Sequence, residues 1–174
     1  FCLLKDRNQD LAWVGTDGQG VFMSSNDPYS IRPTTFDRIS NQIEKPVRSL
    51  FLDNEQSLWI GTKGDGILKI RNYSSEKDIS QQSYNYITTE NSQLRDNSVY
   101  SFSDSHKNII WIGTEDGLNY YSYRDKIIKK IDLTANGEPV KYIHSICEQN
   151  DSTLWLATVG TGIVKAELSG TNDI

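Results

Sequence analysis

The residue types that most often carry chemistry are few in this chain, and their spacing favours neither a catalytic site nor a metal site. His106 lies in the polar stretch DSHKN, and His144 lies in an apolar segment. Cys2 and Cys147 are far apart and form neither a disulfide framework nor a metal-ligand spacing. Without further His or Cys nearby, a structural metal site is not expected. We therefore predict no metal site, no cofactor and no catalytic residue in this segment.

Carboxylates in glycine-containing turns are the remaining candidates for chemistry. Asp17, Asp65, Glu115 and Asp116 have the residue type of glycosidase acids or calcium ligands, but acidic side chains are common in exposed turns that have neither role. The stretches GTDGQG and GTKGDG superficially resemble phosphate-binding loops. Because they join two apolar runs of strand length, they lack the helix N-terminus that such a loop needs. These turns are expected to be exposed connections.

One short pattern returns four times and indicates the elements that position these side chains. The copies are AWVGTDGQGVF from Ala12, LWIGTKGDGIL from Leu58, IWIGTEDGLNY from Ile110 and LWLATVGTGIV from Leu154. Their tryptophans, Trp13, Trp59, Trp111 and Trp155, are separated by 46, 52 and 44 residues. A period of this length is typical of solenoids and propellers.

Each copy predicts a set of short antiparallel strands. A small residue followed by an apolar one precedes each Trp, at Cys2-Leu3, Ser49-Leu50, Ser101-Phe102 and Ser145-Ile146. A polar turn, the Trp strand, a glycine-containing turn and a third apolar strand follow. SYNYITT (83–89) and DKIIKKIDL (125–133) predict a fourth strand at the edge. Four antiparallel strands of this length form a propeller blade. We predict an all-β chain with blades at about 1–46, 47–97, 98–140 and 141–174.

The Trp and Gly of the repeat have a structural explanation. Side chains alternate across a sheet, so Trp59 and Gly61 share one face of the second strand. The indole is expected to fill the space between neighbouring sheets, and the glycine to allow close approach of the adjoining backbone. The small residue at Ser49 and its equivalents is expected to relieve crowding where the first strands converge. This pattern requires no chemistry.

Composition excludes two classes of partner. The formal net charge is −5, and no basic block or stripe is present, so nucleic-acid binding is not expected. No apolar run approaches the roughly 20 residues that a membrane helix needs. The segment is therefore not expected to insert into a membrane.

The repeat resembles the two-component regulator propeller repeat. That pattern runs roughly as a Ser-Ile pair, acidic residues, Leu-Trp-Ile-Gly-Thr and a Gly-Gly-Leu turn. The most similar copies are SLFLDNEQSLWIGTKGDGIL (49–68) and SFSDSHKNIIWIGTEDGL (101–118), and the resemblance spans nearly the whole chain. Two copies depart from it, since Ala157 replaces the glycine of the fourth copy and Cys2 replaces the serine of the first. Both residues are small, so the fold is expected to tolerate them.

The resemblance implies a function. Such repeats typically form the periplasmic sensor region of bacterial hybrid two-component histidine kinases that detect glycans. It therefore implies a non-catalytic, ligand-sensing segment located in the periplasm. The implied partners are an oligosaccharide, the remaining blades and the downstream signalling modules of the parent chain, with a homodimer as an open alternative.

The number of copies indicates whether the chain is expected to form a whole propeller or a part of one. The sequence begins inside a first strand and stops just after the third strand of the fourth copy. Propellers of this family resemble rings of about seven blades, within the usual range of about four to eight. We expect about four blades that form a segment of a larger propeller. A compact four-bladed ring is the competing interpretation.

One face of the propeller is the candidate binding site. The loops before the first strands and the turns between second and third strands share this face, where we expect Arg48, Arg95, Tyr100, Lys141 and Tyr142. Aromatic planes beside charged groups suit a sugar or an anionic glycan. Solvated loop tips are the alternative explanation. Two other functions stay open: a protein-interaction scaffold, and a lyase or glycosidase whose active residues lie outside this segment.

Overall fold

The computed structural model describes residues 2–6, 11–24, 31–33, 43–73 and 82–168. Every regular element in these ranges is a β-strand. No helix there is long and apolar enough to span a membrane. The chain divides into two compact units, residues 1–87 and 88–174. The all-β prediction is confirmed.

The first unit contains two four-stranded antiparallel sheets. Blade 1 comprises β1 (Cys2–Lys5), β2 (Ala12–Gly15), β3 (Val21–Ser24) and β4 (Ile31–Pro33), in that spatial order. Blade 2 comprises β5 (Val47–Leu52), β6 (Leu58–Thr62), β7 (Ile67–Arg71) and β8 (Ser83–Ile87). Each sheet is a simple meander in which consecutive strands pair. This is the predicted blade, and β8 is the edge strand predicted from SYNYITT.

The second unit repeats the arrangement. Blade 3 comprises β9 (Val99–Asp104), β10 (Ile109–Thr114), β11 (Gly117–Ser122) and β12 (Ile127–Ile131). A small hairpin of β13 (Thr134–Ala135) and β14 (Glu138–Pro139) follows. Blade 4 has three strands in the described ranges: β15 (Ile143–Asn150), β16 (Thr153–Thr158) and β17 (Gly162–Glu167).

The β13–β14 hairpin was not predicted, although the sequence contains its signal. Asn136 and Gly137 lie between the two strands with positive φ angles of 54° and 83°. An Asn-Gly pair with this backbone is the preferred two-residue turn of a β-hairpin. The hairpin leads to Val140, which is buried in the core of the second unit.

The indole of each repeat was predicted to be filler between sheets, and the first unit shows this for Trp13. Trp13 is completely buried and belongs to one core with Val47, Leu58 and Ile60 of blade 2. Its ring meets that of Tyr73 edge to face, with ring centroids 4.8 Å apart. Burying a large aromatic side chain is among the strongest single contributions to a core. Trp13 therefore holds blade 1 against blade 2.

The second unit has the same packing between blades 3 and 4. Trp111 is fully buried in a core that includes Ile143, Leu154 and Leu156 of blade 4. Trp155 differs, because its side chain is 39% exposed and lies on the face of blade 4 that points away from this core. The prediction of a buried wedge is therefore wrong for Trp155, since no neighbouring sheet covers that face within the described part of the chain.

Glycine follows the indole because neighbouring sheets approach there. A Cβ placed on Gly15 would overlap the side chains of Cys2 and Val47. One placed on Gly113 would overlap the Ser101 hydroxyl and the Ile143 carbonyl oxygen. In both cases the obstructing atoms include the first strand of the next blade, so the prediction of close approach is confirmed at these two positions.

The small residue of the first strand does more than relieve crowding. The Ser101 hydroxyl donates a hydrogen bond of 3.1 Å to the carbonyl oxygen of Ile143 in the next blade. The Cys2 thiol makes the corresponding contact with the Val47 carbonyl oxygen, at 3.9 Å. Burial raises the pKa of this thiol, which keeps it protonated as a donor. This position is therefore occupied by a small side chain that can donate a hydrogen bond.

Candidate functional site

The turns between second and third strands are all closed in the same way. The threonine at the end of the second strand donates its hydroxyl to a glycine carbonyl oxygen at the far side of the turn, at 2.7 to 2.9 Å. The four pairs are Thr16–Gly20, Thr62–Gly66, Thr114–Gly117 and Thr158–Gly162. In two turns the same hydroxyl oxygen also accepts a backbone N–H, from Gln19 and Asp65. The turn tips are thereby held at fixed positions.

The segments that lead into the first strands lie beside these turns. The N–H of Lys63 donates to the Pro46 carbonyl oxygen, that of Glu115 to Ser98 and that of Val159 to Tyr142, at 2.8 to 3.1 Å. These bonds place the start of the first strand next to the turn of the same blade. We call this end of the sheets the turn face. It is the face on which the sequence predicted binding residues.

In the first unit the turn face carries Arg48. Its guanidinium lies 3.6 Å from the carboxylate of Asp17, which belongs to the turn of blade 1. The two side chains are 31% and 55% exposed, so water screens the pair and it contributes little to stability. Arg48 thus bridges two blades.

In the second unit two aromatic rings stack on the turn face. Tyr100 of β9 and His144 of β15 have ring centroids 4.2 Å apart and an angle of 16° between ring planes. The Tyr100 hydroxyl donates to the Glu115 carboxylate at 2.9 Å. The stack therefore joins the first strands of blades 3 and 4 to the turn of blade 3.

Lys141 is paired with the neighbouring carboxylate of the same turn. Its ammonium group lies 2.6 Å from Asp116, and both side chains are nearly half exposed. The hydrogen bond and the charge of Asp116 raise the pKa of Lys141. The pair links blades 3 and 4, as Arg48 and Asp17 link blades 1 and 2 in the first unit.

Tyr142 is presented to solvent by an unusual backbone conformation. Its φ angle is 53°, in the left-handed region that bulky residues rarely adopt. Two backbone bonds hold it there: its N–H donates to Glu115 at 2.8 Å, and its carbonyl oxygen accepts from Val159 at 3.1 Å. The side chain is 41% exposed. Such strain persists where the surroundings enforce it, and it is concentrated at functional sites.

Arg95 reaches the same turn but is already engaged. Its guanidinium donates to the carbonyl oxygens of Leu118 and Ile131 and forms an ion pair with Asp132. The side chain is only 17% exposed. Arg95 therefore supports the turn beside the site, and its guanidinium is largely inaccessible to a ligand.

Four of the five predicted residues thus lie together in the second unit. We define the turn-face cluster as Tyr100, Glu115, Asp116, Lys141, Tyr142 and His144. His144 was expected to be an ordinary strand residue, and its stacking was missed. A signal for it exists, because Arg48, Tyr100 and His144 each directly precede the small residue of a first strand. Residues at that position share one register and one end of the sheet.

No group of three or more His, Cys, Asp or Glu side chains suited to a metal ion occurs in the described ranges. Cys2 and Cys147 are both free thiols. What the turn-face cluster presents is an exposed ring, a stacked ring pair and carboxylate oxygens. These groups suit recognition of a polar ligand with apolar patches.

Comparison with known proteins shows what this chain is similar to. A family model described as two component regulator propeller matches residues 41–64, which cover the first two strands of blade 2. The chain is 28% identical over 168 residues to "Histidine kinase P4" of Formosa agariphila. That match covers 95% of this chain and 12% of the kinase.

Solved structures show the same fold. The extracellular domain of a hybrid two-component system of B. thetaiotaomicron is 25% identical with a TM-score of 0.71, over 95% of this chain and 21% of that one. PorZ, a surface component of the type-IX secretion system of Porphyromonas gingivalis, is 13% identical with a TM-score of 0.68, over 97% of this chain and 26% of that one. This chain therefore spans about a fifth of the first domain and a quarter of the second. The segment matched by the family model contains Trp59, and its Trp strand recurs with substitutions at Trp13, Trp111 and Trp155, so the chain is similar over this repeat to two-component regulator propellers.

Proposed function

We propose that this chain is part of a non-catalytic, ligand-sensing propeller in the periplasmic sensor region of a hybrid two-component system, and that its ligand is a carbohydrate. The family match and the extracellular domain of similar fold support the sensor role. The parent chain would supply further blades, a membrane anchor and the signalling modules. A larger propeller is part of the same proposal.

The observation that carries the carbohydrate proposal is Tyr142. The two backbone hydrogen bonds fix its left-handed conformation, so the position from which the exposed ring projects is set before a ligand arrives. An exposed aromatic plane beside hydrogen-bonding groups gives a sugar ring an apolar surface to pack on and polar partners for its hydroxyls. Preorganisation lowers the entropic cost of binding. Glu115, whose carbonyl oxygen accepts the Tyr142 N–H, and Asp116, which pairs with Lys141, carry the carboxylates that would supply polar partners.

The test is binding of oligosaccharides to the complete sensor region that contains this chain. A glycan array identifies binders, and calorimetry measures their affinity. Tyr142→Ala is expected to weaken binding at least about tenfold, because it removes the aromatic platform. Tyr84→Ala is the matched control, since Tyr84 is similarly exposed, at 39%, but lies on the edge strand β8.

Different results would contradict the proposal in different ways. Capture of a stable protein partner without sugar binding would indicate an interaction scaffold. Turnover of a glycan, unaffected by Tyr142→Ala and abolished by substitutions elsewhere in the parent protein, would indicate an enzyme. Equal loss of sugar affinity in both tyrosine variants would move the site away from the turn face.

A further inference from the structure

The charges of the turn-face cluster select among sugars. Resting on the proposed function, we infer that this site takes neutral or amino-bearing saccharides and rejects those that carry uronate or sulfate groups. The composition of the face alone suits either class. The contacts in the second unit distinguish them.

The cations beside the site are already neutralised. Lys141 lies 2.6 Å from Asp116, and Arg95 is bound by Asp132 and two backbone carbonyl oxygens. An anionic sugar that approaches Lys141 also meets the Asp116 carboxylate, which lies 2.6 Å from the ammonium group and opposes its attraction. Arg95, at 17% exposure, is not available without breaking contacts that support the turn.

The carboxylates, in contrast, keep acceptor capacity. A carboxylate offers about four lone-pair positions on two oxygens. Glu115 accepts the Tyr100 hydroxyl through one oxygen, and Asp116 meets Lys141 through one oxygen. In the contacts described for these two side chains, the second oxygen of each has no partner. Sugar hydroxyls and ammonium groups are donors that match such oxygens.

The tyrosine and histidine do not reverse this preference. The Tyr100 hydrogen is committed to Glu115, so it is not offered to a sulfate or a uronate. His144 faces Tyr100 with its ring plane and is exposed on its other side. With two carboxylates and one paired lysine, the cluster repels an incoming anion. Like-charge repulsion of this kind is an effective way to exclude a wrong ligand.

The experiment compares the binding of several saccharide classes and then removes the negative charge that is paired with Lys141. The complete sensor region is screened against neutral oligosaccharides, chitosan oligosaccharides, uronate oligosaccharides and heparin-derived tetrasaccharides of several linkages. Only the first two classes are expected to bind. Asp116→Asn frees Lys141 while keeping the side-chain shape, and it is expected to increase binding of the heparin tetrasaccharide at least about fivefold.

Asp151→Asn is the matched control. It removes the same charge from an exposed turn between β15 and β16, at the other end of blade 4, and is expected to leave the binding pattern unchanged. Higher ionic strength should reduce the gain in the Asp116→Asn variant, since that gain is electrostatic.

The outcomes separate this inference from the proposed function. Tight binding of uronate or sulfated sugars by the unsubstituted protein would overturn the inference and leave the sugar-sensing proposal intact. Binding of neutral sugars with no effect of Asp116→Asn on anion binding would also overturn it. Binding of no saccharide class would overturn both.

Discussion

In three of the four copies the indole nitrogen donates to a side-chain acceptor, and the acceptor differs from blade to blade. Trp59 donates to Asp53 at 2.8 Å, six residues earlier in the chain. Trp155 donates to Gln149 at 2.7 Å, also six residues earlier. Trp111 donates to Glu148 of the neighbouring blade at 2.7 Å. A buried indole N–H needs such a partner, so these copies require a hydrogen-bond acceptor as well as apolar neighbours for the tryptophan.

Asp53 is the most demanding of these acceptors, and its substitution is expected to be costly. It is buried, accepts the Trp59 indole and the Ser57 backbone N–H, and lies 3.9 Å from the buried ammonium of Lys69. Asp53→Asn keeps the shape but removes the charge opposite Lys69. We expect a loss of about 3 kcal/mol in the free energy of unfolding, measured by urea denaturation.

The control for this prediction is Gln149→Ala. Gln149 has the same position relative to its tryptophan but is exposed, so its loss is expected to cost less than about 0.5 kcal/mol. Equal costs for the two variants would show that burial of the acceptor is not what makes Asp53 important.

Some of these residue contacts could be predicted from the sequence, and others could not. Asp53 and Gln149 stand at a constant distance before their tryptophans, so the repeat itself contains the signal. Glu148 is 37 residues from Trp111, and its role depends on how two blades pack. The stack of Tyr100 on His144 has the same origin. Contacts between blades require the packing geometry, which spacing alone does not provide.

At the scale of the strand, the glycine of the Trp-Ile-Gly-Thr pattern determines how closely blades approach. Gly113→Ala is expected to lower the free energy of unfolding by about 2 kcal/mol, because the methyl group would overlap the Ser101 hydroxyl and the Ile143 backbone. Chemical denaturation of the chain measures this change.

Blade 4 provides the control at the equivalent position. Ala157 occurs there naturally and is exposed, so Ala157→Gly is expected to change stability by less than about 1 kcal/mol. If Gly113→Ala were equally mild, the two blades would have to separate at little cost, and the close approach would not be a source of stability.

Strands were more predictable than their connections. Alternating side chains and Gly-containing turns predicted β5–β8 and β9–β12. The β13–β14 hairpin was not predicted from the repeat, because Asn136-Gly137 falls between two copies. A turn motif outside the repeat can therefore form a hairpin that the repeat pattern alone does not predict.

At the scale of the whole chain, the two units use the same rules with different residues. Cys2 and Ser101 each donate a hydrogen bond to the first strand of the next blade. Trp13 and Trp111 each fill the space between the two blades of their own unit. The fold was predictable because four copies repeat one pattern. For the candidate site, the sequence predicted at which end of the sheets these side chains lie; their contacts were not predictable, because the residues at the turn face are those in which the copies differ, and their binding role stays a prediction.

Alkaline pH is expected to destabilise the chain through two tyrosines of the first unit, the buried Tyr73 and the partly buried Tyr86. Burial, with the nearby groups Tyr84 and Asp65, raises the pKa of Tyr86 to about 12. Burial and Asp6 raise the pKa of Tyr73 further. A phenol whose folded-state pKa is raised contributes its full stabilisation below its ordinary pKa of about 10. That contribution is lost as the pH rises through about 12.

The measurement is the urea midpoint as a function of pH between about 9 and 12. Tyr86→Phe removes one ionising group and is expected to make the decline shallower. Tyr142→Phe removes an exposed phenol of the other unit and is expected to leave the decline unchanged. A decline that is identical in all three proteins would exclude Tyr86 as its source.

The threonine hydroxyl that closes each turn separates the base of the turn, which joins two strands, from the tip, which faces solvent. Because Thr16, Thr62, Thr114 and Thr158 hold the base of each turn, closure of the turn does not depend on which side chains stand at its tip. Tips as different as Glu115-Asp116 and Val159-Gly160 are accommodated on the same base. Under the proposed binding role, the side chains that meet a ligand can therefore be substituted in one blade while the hydroxyl-to-carbonyl closure of every turn is retained.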